Sequence, residues 1–582
     1  MIGHAHKNLI DTAKHCQFLK GVFVTLSTKN IFMTGVNHGD AFGRFFSAFT
    51  VLLNNASELD NIRLPEIMKR HANKEHCMKN DGLKIALTDG ELQGTLDDGI
   101  FVFKGIPYAA PPVGAYRWRA PQPVKPWHGV LNAQHFSAAS WQNRDYCLAI
   151  GGGDPGVFSE DCLYLNVWTP ELQPEVPLPV MVWLHGGGFT IGSGGLAPYS
   201  GKPLASRGAV VVTLNYRLGH LGFFAHPALE KEQADTGHIN NFALLDQIAA
   251  LRWVQQHIAA FGGNASNVTL FGESSGARSV LSLCCSPLSR GLFHKGIVQS
   301  AYSLPDVTRD AAREKGVMVA TALGLPADAS MAQLRELPAD AFWPLDSSLG
   351  LGPVAIAGDM VLPEPVLKTL MAGKQHRLPL MAGSNSDEAS VLVWFGVEAA
   401  AVVGQLRRNN HFHYRLLRWI YRTGDDALLG RAVARDMTFS IVPWLIMRAQ
   451  EKAGMPGWRY WFDYVSERSR DLYPHGTWHG NEIPYVMNTL AMMPPADDDR
   501  TFTAADHAFS QQVCDYWFRF ACDVTPHTTM IEGKQRWPAW RKKHDVTMSL
   551  GWQGQAALKL LPGFMRRRLA LFRLMMSRLV RL

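Results

Sequence analysis

Gly272-Glu273-Ser274-Ser275-Gly276 decides how this chain folds. It matches G-x-S-x-G, a sharp strand-to-helix turn that presents its central serine. The flanking residues have the composition such a turn needs. Asn267-Val268-Thr269-Leu270-Phe271 is a short apolar, β-branched run that reads as a buried strand. Ala277-Arg278-Ser279-Val280-Leu281-Ser282-Leu283 can begin a helix. A turn this tight leaves almost no room for side chains on its flanks, hence glycine two residues before and two after Ser274. It also lifts the serine hydroxyl out of the sheet, above a helix N-terminus, where negative charge is stabilised.

The same alternation runs along the chain from Leu83 onward. Pro179 to Leu184, Ala209 to Leu214 and Lys295 to Gln299 read as buried strands. Asn241 to Ala260 has helical periodicity, with Leu244, Ile248, Leu251 and Val254 on one face. Continuous apolar strands separated by helices predict an α/β fold: a large, mostly parallel sheet with helices on both faces. Ligand sites in such folds lie beyond the carboxyl ends of the strands. No internal repeat or long low-complexity linker interrupts the pattern.

Composition narrows the class. The 582 residues are 47% hydrophobic and 18% charged, as in a large soluble globular protein. The net charge of +7 is modest and partly confined to one C-terminal stretch, so it does not argue for nucleic-acid binding. The eight cysteines include no C-x-x-C, and neither a metal nor a cofactor is expected. Cys147 and Cys162 are spaced either for a small disulfide loop or for two free thiols. Residues 1–82 differ from the rest, being polar and rich in His, Asn and Lys. They read as a poorly ordered extension or an upstream reading of the start, with Met78 as the alternative first residue. Their apolar run, Phe45 to Leu53, is too short to span a bilayer. It would serve in a signal peptide only if translation began near Met33. The compartment stays open, with the cytoplasm slightly favoured because no clear signal peptide starts at Met1.

A serine hydroxyl is a weak nucleophile and needs a base, a group to orient that base, and donors for an oxyanion. His185-Gly186-Gly187-Gly188-Phe189 follows directly on the strand ending at Leu184, and its glycines let main-chain N–H groups converge. Gly187, Gly188 and the N–H of Ser275 are the expected oxyanion hole. An acid and then a base are expected further along. The strand Leu378 to Ala382 leads into Gly383-Ser384-Asn385-Ser386-Asp387-Glu388. After a further strand, Trp458 to Tyr464, comes His475-Gly476-Thr477-Trp478-His479-Gly480-Asn481-Glu482-Ile483-Pro484-Tyr485. Pattern alone leaves Asp387 and Glu388 open as the acid, and His475 and His479 open as the base.

From about Leu83 to Trp540 the chain resembles the type-B carboxylesterases, a family that includes the cholinesterases. The resemblance rests on Phe103-Lys104-Gly105-Ile106-Pro107-Tyr108, Glu160-Asp161-Cys162-Leu163-Tyr164-Leu165-Asn166-Val167, Asn215-Tyr216-Arg217-Leu218-Gly219, the Ser274 segment and Arg536-Trp537-Pro538-Ala539. It implies an α/β-hydrolase fold with long loop insertions and a serine esterase acting on small-molecule carboxylic esters. It selects Ser274, Glu388 and His479 as the catalytic residues. Glu273, Phe189 and His475 are left as pocket residues of lesser weight. Amide, carbamate or lipid-ester cleavage by the same residues, or a non-catalytic cholinesterase-like binding protein, are the alternatives. The family's upstream cysteine is replaced in Ser140-Trp141-Gln142, which speaks against a Cys147–Cys162 bond. Leu148 to Phe158 holds no tryptophan for a choline cation, so choline esters are not expected.

The expected organisation is an extension over 1–82, one catalytic domain over 83–550 and a basic amphipathic helix over 551–582. On a helix, Arg566, Arg573, Ser577 and Arg581 share one side, and Leu569, Phe572, Met575, Met576, Leu579 and Val580 mostly lie opposite. Residues 564–582 would therefore either rest on an anionic membrane or pack on the body or a second subunit. The oligomeric state stays open.

Overall fold

A computed structural model describes residues 83–149, 151–235, 237–345, 354–395, 398–493 and 500–579. The extension over 1–82 lies outside the described residues. Ten strands build one sheet: β1 (Thr95–Asp97), β2 (Ile100–Pro107), β3 (Tyr164–Thr169), β4 (Leu178–Leu184), β5 (Val210–Leu214), β6 (Gly263–Glu273), β7 (Lys295–Gln299), β8 (Leu380–Asn385), β9 (Gly457–Tyr464) and β10 (Val546–Pro562). Their spatial order is β10-β9-β8-β7-β6-β4-β5-β3-β2-β1. From β10 to β5 every neighbour is parallel. From β5 to β1 the pairs are antiparallel.

The pattern follows burial. Val180 to Leu184 and Val210 to Leu214 are buried throughout, so they carry no polar alternation and need cover on both faces. That cover includes α1 (Phe242–His257), α2 (Ser275–Cys285), α3 (Asp426–Arg435), α4 (Ile441–Ala453) and α5 (Ala504–Asp523). Leu244, Ile248, Leu251 and Val254 of α1 are fully buried in the core on one side of the sheet. Val513, Trp517 and Phe520 of α5 are buried in the core on the other. Cys147 and Cys162 are buried free thiols.

The C-terminal boundary differs from expectation. Residues 551–562 belong to β10, and the basic helix α6 covers Arg566–Leu579 only. Val546 to Leu550 is apolar and buried beside β9, with Met548 opposite Tyr460 and Leu550 opposite Phe462. A register shift between Phe462 and Tyr464 carries the strand onward past Gly551, whose φ is 86°. In α6, Leu569 and Phe572 are buried in the protein's own core. Arg568 reaches Asp436 at 3.4 Å and lies over the Tyr421 ring. At those two positions the apolar side of the helix is taken up by the body.

Candidate active site

Because β4, β6, β8 and β9 run parallel, their carboxyl ends open on one edge of the sheet, and each delivers one part of the site. At the end of β6, Ser274 has φ 54° and ψ −118°, a conformation side chains rarely adopt and one that costs of order 1–3 kcal/mol. The flanking glycines are required by close approach. A Cβ on Gly276 would lie 2.0 Å from the Leu184 carbonyl oxygen, and one on Gly272 would lie 2.7 Å from it. The Ser274 N–H donates to the Gln299 carbonyl at 2.9 Å, fixing the turn to β7.

Beyond β4, Gly187 and Gly188 have φ of 102° and 63°. A side chain on Gly187 would strike the Ile191 carbonyl oxygen at 2.2 Å, and one on Gly186 would meet Glu273 Oε2 at 2.6 Å. The Gly187 and Gly188 N–H groups donate to no acceptor among the described residues. His185 is buried, and burial pushes its imidazole down to about 4, so it is neutral at pH 7. It stacks on Tyr216, whose hydroxyl donates to the His185 carbonyl at 2.7 Å and braces the turn.

Past β8, the fully buried Glu388 accepts a hydrogen bond from the Asn385 N–H at 2.7 Å through Oε1. Its Oε2 stands 2.5 Å from His479 Nδ1. His479 comes from the loop after β9, and its Nε2 is 2.9 Å from Ser274 Oγ. The same Nε2 lies 3.1 Å from Glu273 Oε1. Burial alone would lower the His479 pKa, but the Glu273 and Glu388 carboxylates outweigh it and lift it to about 9. Burial raises Glu273 to about 8. The two groups hold protons jointly, so neither value belongs to one residue alone. Neutral at Nε2, His479 is positioned to take the serine proton, with its Nδ1–H held on Glu388.

Of the two candidate bases His479 meets Ser274, and of the two candidate acids Glu388 meets His479. Asp387 turns the other way and pairs with Arg431 of α3 at 2.5 Å. His475 lines a separate cavity of about 200 Å³ with Asp387, Arg431 and Arg435; neither Ser274 nor His479 lines it. Phe189 is buried edge-to-face on Phe223 at 4.9 Å between centroids.

Sequence reasoning missed the contacts that join the acid and base loops. Thr477 N–H donates to Ser386 Oγ at 2.8 Å, Asp387 N–H to the Thr477 carbonyl at 2.9 Å, and His479 N–H to Ser390 Oγ at 3.0 Å. Asn385 Nδ2 bonds both the Trp478 carbonyl and Glu482 Oε2. The buried Glu482 also accepts from Gln299 Nε2 at 3.3 Å, and Gln299 Oε1 accepts from Trp517 Nε1 at 2.9 Å. Glu482, Ser386 and Asn385 stand in the quoted loops, but nothing in the order of residues marks them as partners. Arg431 lies in an ordinary amphipathic helix and had no signal.

Residues 81–562 match the model of the carboxylesterase family. The chain is 34% identical over 487 residues to a fumonisin B1 esterase of Sphingopyxis macrogoltabida, covering 80% of this chain and 85% of that protein. It is 32% identical over 480 residues to the para-nitrobenzyl esterase of Bacillus subtilis (strain 168), covering 79% and 93%. A solved PNB esterase structure superposes with a TM-score of 0.69 at 28% identity, covering 83% of this chain and 98% of that one. The resemblance in the motifs, the parallel sheet and these likenesses agree: the chain belongs to the carboxylesterase family, has the α/β-hydrolase fold and is a carboxylic ester hydrolase.

Proposed function

We propose that the enzyme cleaves small-molecule carboxylic esters through an acyl-enzyme formed on Ser274, with His479 as base and Glu388 as its orienting acid. The observation that carries this is the continuous line from Glu388 Oε2 through both imidazole nitrogens to Ser274 Oγ, with contacts of 2.5 and 2.9 Å. Ser274 Oγ attacks the ester carbonyl as its proton passes to His479 Nε2. The tetrahedral oxyanion is taken up by the N–H groups of Gly187, Gly188 and Ser275. His479 then returns its proton to the leaving alcohol, and the acyl group stays on Ser274. A water deprotonated by His479 attacks the acyl carbonyl and releases the acid. No step requires a metal or an organic cofactor. Residues 83–562 act in this reading as one catalytic domain. Burst kinetics with a p-nitrophenyl ester test the intermediate: a product burst stoichiometric with enzyme supports it.

Glu273 sits where it competes with Ser274 for Nε2. While charged, it favours the imidazolium form, which cannot accept the serine proton. Glu273→Gln removes that anion and lowers the His479 pKa, so the acid limb of the kcat/KM–pH profile is expected to move to lower pH. A limb that stays in place would exclude this coupling.

Arg431 has a different part. Asp387 is buried, burial raises its pKa, and the Arg431 guanidinium opposes that rise. Arg431→Ala leaves the carboxylate unpaired beside the loop that carries Glu388. We expect a loss of about 3 kcal/mol in stability, from urea unfolding. A roughly tenfold fall in kcat is expected with it, as the 0.5–1 Å precision of the loop is lost. Arg431→Ala/Asp387→Asn should recover much of the stability; no recovery would mean the ion pair is not the cause.

A further inference from the structure

We infer that the face formed by the end of α4, the turn 541–544 and the start of α6 is a docking surface for an anionic lipid bilayer. The surface is assembled from three segments distant in sequence. Arg448 and Lys452 lie one helical turn apart near the end of α4. The exposed turn Arg541-Lys542-Lys543-His544 is fastened to the same helix, because Lys542 N–H donates to Glu451 Oε1 at 2.9 Å. The start of α6 is fastened to that turn in its own way: Gly563 N–H donates to the Asp545 carbonyl at 2.6 Å. Arg566 and Arg567 are exposed, and Arg573 is half-buried two turns on.

Charge on this face is not balanced locally. Within the three segments Glu451 and Asp545 are the only carboxylates, and Asp545 is buried against Trp540 Nε1 and Arg459. Arg568 is already paired with Asp436. The remaining cations exceed Glu451 by as much as the formal net charge of the entire chain, +7. The rest of the sequence is therefore neutral in sum, and the excess is gathered here. Folding brings like charges together at a cost: besides its partial burial, Arg448 has its pKa lowered by Arg573 and Arg566. Such self-repulsion is relieved when an array of anions comes up against it.

The surroundings of these cations favour lipid over nucleic acid as that array. Among the described residues of the three segments no Phe, Tyr or Trp is exposed beside the cations, Trp444 and Trp540 being buried and His544 the one exposed ring, so bases would find little stacking platform. The sequence beyond α6 Leu574 adds Met575, Met576, Leu579 and Val580 between further arginines, a composition suited to headgroups rather than to a phosphodiester groove. With Leu569 and Phe572 turned into the core, the described part of the contact is electrostatic and peripheral. Juxtamembrane cations of this kind act additively and are screened by salt.

The test is co-sedimentation of the full chain with vesicles of phosphatidylcholine alone or with phosphatidylserine. Binding is expected only with phosphatidylserine, to weaken by about tenfold or more between low salt and roughly 0.5 M salt, and to fall about tenfold in Lys542→Glu/Lys543→Glu. That variant should hydrolyse a soluble p-nitrophenyl ester at the unaltered rate, which certifies its fold. Equal binding to both vesicles, unchanged binding by the variant, or tighter binding to RNA or duplex DNA than to phosphatidylserine would each overturn the inference.

Discussion

Ser274→Ala is expected to lower kcat on a short p-nitrophenyl ester by about a millionfold while leaving thermal unfolding nearly unchanged. The substitution deletes one oxygen. That oxygen is the atom 2.9 Å from His479 Nε2, and without it no covalent acyl-enzyme can form. Alanine keeps the Cβ, so the backbone at φ 54° is neither relieved nor further strained. The N–H groups proposed as oxyanion donors and His479 remain, so a small residual rate above water is expected. A fluorophosphonate probe separates this from unfolding: it should label the parent protein stoichiometrically and the variant not at all. Labelling of the variant, or turnover within tenfold of the parent, would move the nucleophile elsewhere.

Gly276→Ala is the second large effect, and it acts on the fold rather than the chemistry. The added Cβ would stand 2.0 Å from the Leu184 carbonyl oxygen and 2.7 Å from that of His185. Both are main-chain atoms, at and just past the buried end of a central strand, so no side chain can swing away. Either the elbow separates from β4 or the turn at His185 shifts, and both displace Ser274 from the neighbouring Gly186 turn. A loss of about 4 kcal/mol or more is expected, at the severe end for a single methyl group. Soluble yield and urea unfolding measure it. Parent-like stability with parent-like activity would mean that the elbow is looser than these distances imply.

Much of this was legible in the sequence because tight packing restricts residue choice. Gly272 and Gly276 are dictated by the approach of β4, and the apolar runs at 179–184 and 209–214 by burial on two faces. Glu388 and His479 were different. Each had a neighbour of the same chemistry, Asp387 or His475, and residue order could not say which would face Ser274; the family likeness chose, and the geometry brings those two to Ser274. The zipped loops, Arg431 and Glu482 were illegible because their partners are tens of residues away and follow no periodicity. The end of the chain misled for a related reason. Residues 551–562 continue a strand whose first part, Met548 to Leu550, pairs in parallel with β9, a long-range partner that no local pattern reveals, and were read as helix.

The path Ser274–Gln299–Trp517 has a temporal implication. The elbow's main-chain hydrogen bond ends on a residue whose side chain is held by an indole near the far end of α5. During synthesis Ser274 emerges from the ribosome well before Glu388, His479 and that indole, and strands β8 to β10 must still be added in parallel, a long-range pairing that forms slowly. On the proposed mechanism, a growing polypeptide therefore carries Ser274 without its base until His479 has been made and packed beside the elbow.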